Sequence, residues 1–218
     1  TVASEMKGGY PNIKLPDDVK VEEIQQKGFK FVTLPIGQVD SQSRNGRNYR
    51  KAAIQHLVEQ INEKRPEGGW GHIKDEDMGT SYGPPAIRWL AAMIDKRGTA
   101  WGKGLPLTQE AQEYFDLARL TNSRVGTSLH AWVTMEGDDV TELDLIKLDL
   151  ADPARVGVPM TAAKPELSTE MHDESASGQN PDESGASVPA AAIREGEAVS
   201  SPSVSTVQTE QESTTVTD

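Results

Sequence analysis

Ser128 and the histidines are the residues of this 218-residue chain whose types and surroundings could support covalent catalysis. The chain has no cysteine, which excludes disulfides, thiolate metal sites and a cysteine nucleophile. Ser128 lies in the segment Arg124-Val125-Gly126-Thr127-Ser128-Leu129-His130, where a glycine opens a predicted strand. A serine hydroxyl is a poor nucleophile until a neighbouring base takes its proton. The question is therefore which histidine can reach Ser128.

Two of the four histidines are candidates for this base. His172 lies in a polar C-terminal segment and His56 on the polar side of a predicted helix, so both are interpreted as solvent-facing residues. His130 shares a strand face with Ser128, but side chains on one strand point in parallel and seldom meet. His72 follows Gly68-Gly69-Trp70-Gly71, where small residues let the backbone crowd against another element. His72 is therefore the better base, and a structural histidine after a turn is the alternative.

Short apolar runs and turn residues predict the elements that must position these groups. Residues 29–36 are aromatic and β-branched and predict a strand, and residues 52–61 have apolar side chains at helical spacing. Residues 86–94 have a helical composition, but Pro84-Pro85 before them and Gly98 after them favour a strand whose partner is 101–107.

The second half of the predicted domain contains one helix and a hairpin. Thr108 is a plausible N-cap of a helix that ends at Asn122. Residues 125–135 and 140–150 predict two strands separated by the turn Gly137-Asp138-Asp139. The expected fold class is α+β, a β-rich barrel-like domain with a few surrounding helices.

Composition divides the chain into three parts. Residues 1–20 lack a sustained period and are predicted to be a flexible lead-in, and residues 21–158 form the domain. All eleven aromatic residues lie at or before Trp132. Beyond Val158 the polar composition cannot bury enough apolar surface to offset the entropy of ordering, so residues 159–218 are predicted to be a disordered acidic tail.

Charge is concentrated in that tail. The chain has a net charge of −12, and the tail contributes −9 of it, which leaves about −3 for the rest. A nearly neutral domain lacks the basic face that a nucleic-acid-binding module needs, so protein partners are expected instead. No apolar run approaches the roughly 20 residues of a membrane span, and a soluble intracellular protein is expected.

Four stretches in the right order resemble the prohead maturation proteases of tailed bacteriophages, a family similar in fold to the herpesvirus assemblins. The likeness spans about 130 residues. Its stretches are Ser43-Arg44-Asn45-Gly46-Arg47-Asn48-Tyr49, Gly69-Trp70-Gly71-His72, Val125-Gly126-Thr127-Ser128-Leu129-His130 and Leu148-Asp149-Leu150-Ala151-Asp152-Pro153-Ala154. The usual Asp, His and Pro after the histidine are missing, and Leu129 and His130 replace a Ser and an Arg of the family pattern.

The resemblance implies a serine endopeptidase in which Ser128 is the nucleophile and His72 the base. It implies a third catalytic residue on the strand after the nucleophile, for which Asp149 is the first choice, Asp144 the second and Glu142 a distant third. An oxyanion hole is not identified by any motif; Arg155 is a candidate by analogy with the herpesvirus relatives. The mechanism needs no metal or cofactor.

The resemblance also implies the setting. Substrates would be scaffolding protein and major capsid protein inside a viral procapsid in the host cytoplasm, with self-cleavage during virion assembly and no nucleic-acid or membrane partner. The tail would then be a linker to a scaffold segment or a self-cleavage target, or else a solvating extension. The alternatives are a catalytically inactive scaffolding or capsid-assembly protein that keeps the protease fold, and an unrelated β-rich binding module.

Overall fold

A computed structural model describes residues 6–7, 9–71 and 84–169 as a strand-rich α+β fold. The α-helices are α1 (Val21–Gln26), α2 (Lys51–Lys64) and α3 (Gln109–Leu120). The first strands are β1 (Met6–Lys7), β2 (Tyr10–Pro11), β3 (Phe31–Gln38), β4 (Ser41–Gln42), β5 (Asn48–Tyr49) and β6 (Glu67–Gly68). The later strands are β7 (Ile87–Ile94), β8 (Thr99–Pro106), β9 (Val125–Glu136), β10 (Asp139–Ala151), β11 (Ala162–Ala163) and β12 (Glu166–Ser168).

The strands form two five-stranded sheets and a short β1–β2 ladder. One sheet has the order β11-β9-β10-β5-β4, and the other has the order β12-β3-β8-β7-β6. The long hairpins β7–β8 and β9–β10 are antiparallel and supply most of the strand pairing. None of the helices in the described part of the chain has the length and apolarity needed to span a bilayer.

Two short segments join the sheets. Residues 67–71 pair with β7 through Glu67 and Gly68 and then with β10 through a parallel bridge between Trp70 and Leu150. Residues 162–168 pair first with β9 and then with β3. Because each segment contacts both sheets, the strands curl into a half-barrel instead of lying as two independent layers.

The sequence predicted the long elements correctly. The expected helix at 52–61 lies within α2, and the expected strands coincide with β3, β7, β8, β9 and β10 to within a few residues. The Thr108 side chain caps α3 by accepting a hydrogen bond from the Ala111 N–H at 3.1 Å. Asn122 follows the end of that helix in the left-handed conformation, at φ 59°.

The structure corrects both predicted boundaries of the domain. Residues 159–161 form a 3-10 turn and residues 162–163 and 166–168 form β11 and β12, so the fold extends past Val158. Residues 9–20, predicted as flexible, pack against the fold: Ile13 and Leu15 are buried, and the Tyr10 hydroxyl donates a hydrogen bond to the Lys164 carbonyl at 2.8 Å. The rest of the predicted tail, from residue 170, lies outside the described residues.

The main core lies between the curled sheets and α2. The helix turns Ala53, Ile54, Leu57 and Ile61 inward and contacts both β10 and β7. The core also contains the largest buried side chain of the described residues, Trp89, whose indole N–H donates a hydrogen bond to the Leu148 carbonyl at 2.8 Å. This bond ties β7 to β10 from inside the core.

A smaller cluster lies under the N-terminal segment. Leu15, Phe31 and Leu90 form its buried centre. Lys103 of β8 is 2% exposed beside it, and its ammonium donates a hydrogen bond to the Ile13 carbonyl at 3.1 Å. Burial lowers the pKa of the Lys103 ammonium from 10.5 to about 8.

This depressed pKa predicts a stability that rises with pH. Below pH 8 Lys103 is protonated in both the folded and the unfolded protein, and the folded protein bears the whole cost of desolvating the ammonium. Above it the folded state loses the proton first, so the free energy of unfolding rises until the unfolded lysine titrates near 10.4. We expect a gain of about 1 kcal/mol between pH 7.5 and 9 in urea unfolding of the wild type. The gain should vanish in Lys103→Met and persist in the matched surface variant Lys96→Met. An equal gain in all three proteins would contradict the assignment of this pH dependence to Lys103.

Candidate functional site

The ladder between β9 and β10 places Ser128 directly opposite Asp149. Residues that face each other across an antiparallel pair point to the same side of the sheet, with Cβ atoms about 4.5–5.5 Å apart. Ser128 is half-buried, whereas Asp149 is 2% exposed. The structure therefore brings together the predicted nucleophile and the first choice for the third catalytic residue.

The glycine-dense segment reaches the same place from the other side of β10. The Gly71 N–H donates to the Leu150 carbonyl at 2.7 Å, and the Leu150 N–H donates to the Gly69 carbonyl at 2.9 Å. A Cβ on Gly68 would lie 2.0 Å from the Leu148 carbonyl oxygen, a distance that real Cβ atoms do not reach. The expectation that these glycines permit a close backbone approach is confirmed, and the element approached is β10.

Asp149 connects this segment to the hairpin. Its Oδ1 accepts a hydrogen bond from the Gly69 N–H at 2.7 Å. A buried carboxylate needs such donors because the loss of hydration otherwise disfavours its charged form. The bond holds the carboxylate beside the segment that leads to residue 72.

His72, the predicted base, lies outside the described residues, which stop at Gly71 and resume at Pro84. It is the next residue after Gly71, whose backbone is fixed to Leu150 by the bond described above. His172 also lies outside the described residues.

The remaining candidates lie at different distances from Ser128. His130 is half-buried on the same strand, two residues from Ser128 and opposite Lys147. Asp144 is opposite Trp132, four residues or about 13 Å along the strand from Ser128, and forms an ion pair with Lys64 at 2.8 Å.

Glu142 lies farther from Ser128 than Asp144 does, and His56 lies on a different element. Glu142 is opposite Thr134, farther along the same hairpin. His56 lies half-buried on α2.

A groove of about 570 Å³ runs beside Ser128. We call it the Ser128 groove; β9 lines it from Thr127 to Val133, and Ile36, Ile54 and Leu57 give it an apolar part. Its lining also includes polar side chains from residues 43–49 and 155–161, which we call its rim. This volume is in the range of ordinary ligand pockets, about 300–1,000 Å³.

Two loops that hydrogen-bond to each other form this rim. The Arg44 N–H donates to the Gly157 carbonyl at 2.8 Å, and the Arg44 guanidinium donates to the Ala154 carbonyl. The Arg155 N–H donates to the Asp152 carbonyl at 2.8 Å, closing a turn. Arg155, the candidate for the oxyanion hole, therefore lines the groove, and its backbone N–H is engaged in a turn.

Sequence reasoning missed the residues that fix the nucleophile strand. The Thr127 hydroxyl donates to the Pro35 carbonyl at 2.8 Å, and the Thr127 carbonyl accepts from the Thr161 hydroxyl at 2.9 Å. These buried bonds anchor the backbone beside Ser128 to β3 and to the 3-10 turn. The only signal in the sequence was that Thr127 precedes Ser128, which does not identify partners 92 and 34 residues away.

The described residues thus offer a hydroxyl, a buried carboxylate and a groove that could hold an extended chain. Among them, no group of three His, Cys, Asp or Glu side chains is arranged to hold a metal ion. In comparisons with known proteins, no protein-family model, curated protein or solved structure matches this chain.

The approach at Gly68 yields a stability prediction. Gly68→Ala places a methyl group against the Leu148 carbonyl and must push residues 67–71 off β10, so the free energy of unfolding should fall by about 2–4 kcal/mol. Gly157→Ala is the matched control, because a Cβ there has no neighbour within 4 Å and should change stability by less than about 1 kcal/mol. Equal urea midpoints for the two variants would refute the close approach.

The hydrogen bond between Asp149 and Gly69 yields a second stability prediction. Asp149→Ala leaves the Gly69 N–H without its acceptor and should cost about 1–3 kcal/mol, whereas Asp149→Asn keeps a carbonyl oxygen there and should cost less. Asp144→Ala is the control: its carboxylate is exposed, and such ion pairs contribute at most about 1 kcal/mol. Urea unfolding at pH 7 measures all three, and a cost at Asp149 no larger than at Asp144 would contradict this role.

Proposed function

We propose that this chain is a serine endopeptidase that cleaves scaffolding and major capsid proteins, and itself, during maturation of a viral procapsid in the host cytoplasm. The observation that carries the catalytic part is the pairing of Ser128 with the buried Asp149, beside the segment that ends one residue before His72. The viral setting rests on the resemblance of the four sequence stretches to the prohead proteases.

The proposed chemistry is amide hydrolysis through an acyl-enzyme. The Ser128 Oγ attacks the scissile carbonyl carbon and passes its proton to His72, which then returns a proton to the leaving amine. Asp149 orients the imidazole and stabilises the imidazolium formed during attack. Water then cleaves the ester and restores the Ser128 hydroxyl.

The burial of Asp149 supports this role over that of Asp144 or Glu142. A charge interacts more strongly in a low-dielectric environment than in water, so a buried carboxylate stabilises an adjacent cation more than an exposed one does. Asp144 is exposed and paired with Lys64, and Glu142 lies farther along the hairpin. The groove along β9 gives an extended polypeptide a place next to Ser128.

A catalytically inactive scaffolding or capsid-assembly protein with the same fold is the second candidate. It is favoured by the bond from Gly69 to Asp149, a structural contact that would hold the fold together without any catalysis. The altered residues Leu129 and His130 after Ser128 favour it as well.

Cleavage that depends on Ser128 is the decisive test. The chain would be co-expressed with the neighbouring capsid and scaffolding proteins, and cleavage products would be read by intact mass. We expect products with wild type and with Ser123→Ala, an exposed serine outside the groove, and a loss of at least about 1,000-fold in rate with Ser128→Ala or His72→Ala. Unchanged proteins with wild type, in assembled shells, would favour the inactive scaffold.

A second test labels the nucleophile directly and complements the cleavage experiment. A fluorophosphonate reacts with an activated serine hydroxyl and adds a fixed mass to the protein. Labelling of wild type and Ser123→Ala but not of Ser128→Ala would assign the nucleophile without knowledge of the substrate. Labelling that survives in Ser128→Ala would exclude Ser128 as the nucleophile.

A further inference from the structure

The charged side chains that line the Ser128 groove are all positive. Its described lining residues include Arg47 and Arg155, and no Asp or Glu. The part of the chain before residue 159 is nearly neutral, with a net charge of about −3 out of the −12 of the whole chain. The groove is therefore a locally basic site on a nearly neutral domain.

Hydrogen bonds fix the main chain of both arginines, and within the described residues neither side chain is held by an ion pair. The Arg47 carbonyl accepts bonds from the Ser43 N–H at 2.8 Å and the Ser43 hydroxyl at 3.0 Å. Arg155 closes the turn from Asp152, and the bonds from Arg44 to Ala154 and Gly157 join the two loops. Both side chains are exposed, and neither guanidinium forms an ion pair with any described residue.

The charge of Arg47 acts within the groove. Tyr49, which also lines it, has a pKa raised by burial, and the Arg47 charge acts in the opposite direction on that pKa. A guanidinium presents several N–H donors in a planar fork that matches a carboxylate. Two such groups on one rim favour an anionic side chain on whatever occupies the groove.

We propose that the Ser128 groove binds an extended polypeptide segment that carries an acidic side chain, recognised by Arg47 and Arg155. This inference rests on the proposed peptidase function. If the groove presents segments to Ser128, Arg47 and Arg155 determine which polypeptide segments are cleaved. The apolar part formed by Ile36, Ile54 and Leu57 lies in the same groove and takes an uncharged portion of the segment.

Binding can be measured without cleavage by using Ser128→Ala protein. The probes are three amidated and acetylated peptides, Thr-Val-Leu-Ala-Xaa-Ala-Val-Thr, in which Xaa is Glu, Gln or Lys. Titration to millimolar concentration, followed by amide chemical shifts, gives both the affinity and the surface that is contacted. We expect the Glu peptide to shift groove resonances and to bind about fivefold to tenfold more tightly than the Gln peptide, with the difference shrinking at high salt.

The arginines are tested by paired substitutions of equal charge. In Arg47→Gln with Arg155→Gln, the Glu and Gln peptides should bind equally. The control is Arg97→Gln with Arg119→Gln, two exposed arginines outside the groove, which changes net charge by the same amount and should keep the preference. Arg155→Glu should reverse the preference toward the Lys peptide, a gain that unfolding cannot mimic.

The outcomes separate this inference from the peptidase proposal. Equal binding of Glu and Gln peptides, shifts confined to another surface, or no binding at millimolar concentration would overturn the acidic preference while leaving cleavage by Ser128 to its own test. A preference that depends on Arg47 and Arg155 supports the inference, even if co-expression with capsid proteins yields no products.

Discussion

The close approach of residues 67–71 to β10 is the constraint on which the site depends. Gly68 has no side chain, so its backbone lies against the Leu148 carbonyl, and Trp70 can pair with Leu150. The same segment pairs with β7, so this contact joins the β6 edge of one sheet to β10 of the other. It also brings the Gly69 N–H to Asp149. If these backbones were farther apart, the sheets would separate here and Asp149 would lose the hydrogen bond from Gly69.

Pairing between Ser128 and Asp149 illustrates why local sequence patterns predict strands better than they predict sites. A turn at residues 137–139 and both strands were predicted from sequence, and in the structure β10 already begins at Asp139. Pairing starts with Glu136 opposite Asp139, and an unbroken ladder from that pair would place Lys147 opposite Ser128. Two irregularities, between Val140 and Glu142 and between Leu145 and Lys147, each add one residue to β10 and bring Asp149 to that position instead. A bulge depends on packing that no short pattern in the sequence specifies.

The position of the domain boundary was missed for a related reason. Residues 159–168 have no apolar period, and composition alone places them with the tail. They fold because of partners distant in sequence: Thr161 bonds to Thr127, Ala162 pairs with Gly126, and Leu167 pairs with Val32. Helix α2, by contrast, was predictable because its apolar spacing repeats over several turns within one segment.

A structural and a catalytic role for Asp149 are physically compatible. An ionised carboxylate has two oxygens and about four lone-pair sites, so the Gly69 N–H on Oδ1 uses only part of its hydrogen-bonding capacity. A neutral N–H fixes the orientation of the carboxylate without adding a positive charge to it. A cation that forms beside a buried, oriented carboxylate is stabilised with little reorganisation, which is the condition that an imidazolium requires in serine hydrolysis. The contact that holds the two sheets together is therefore also one that would prepare Asp149 for catalysis.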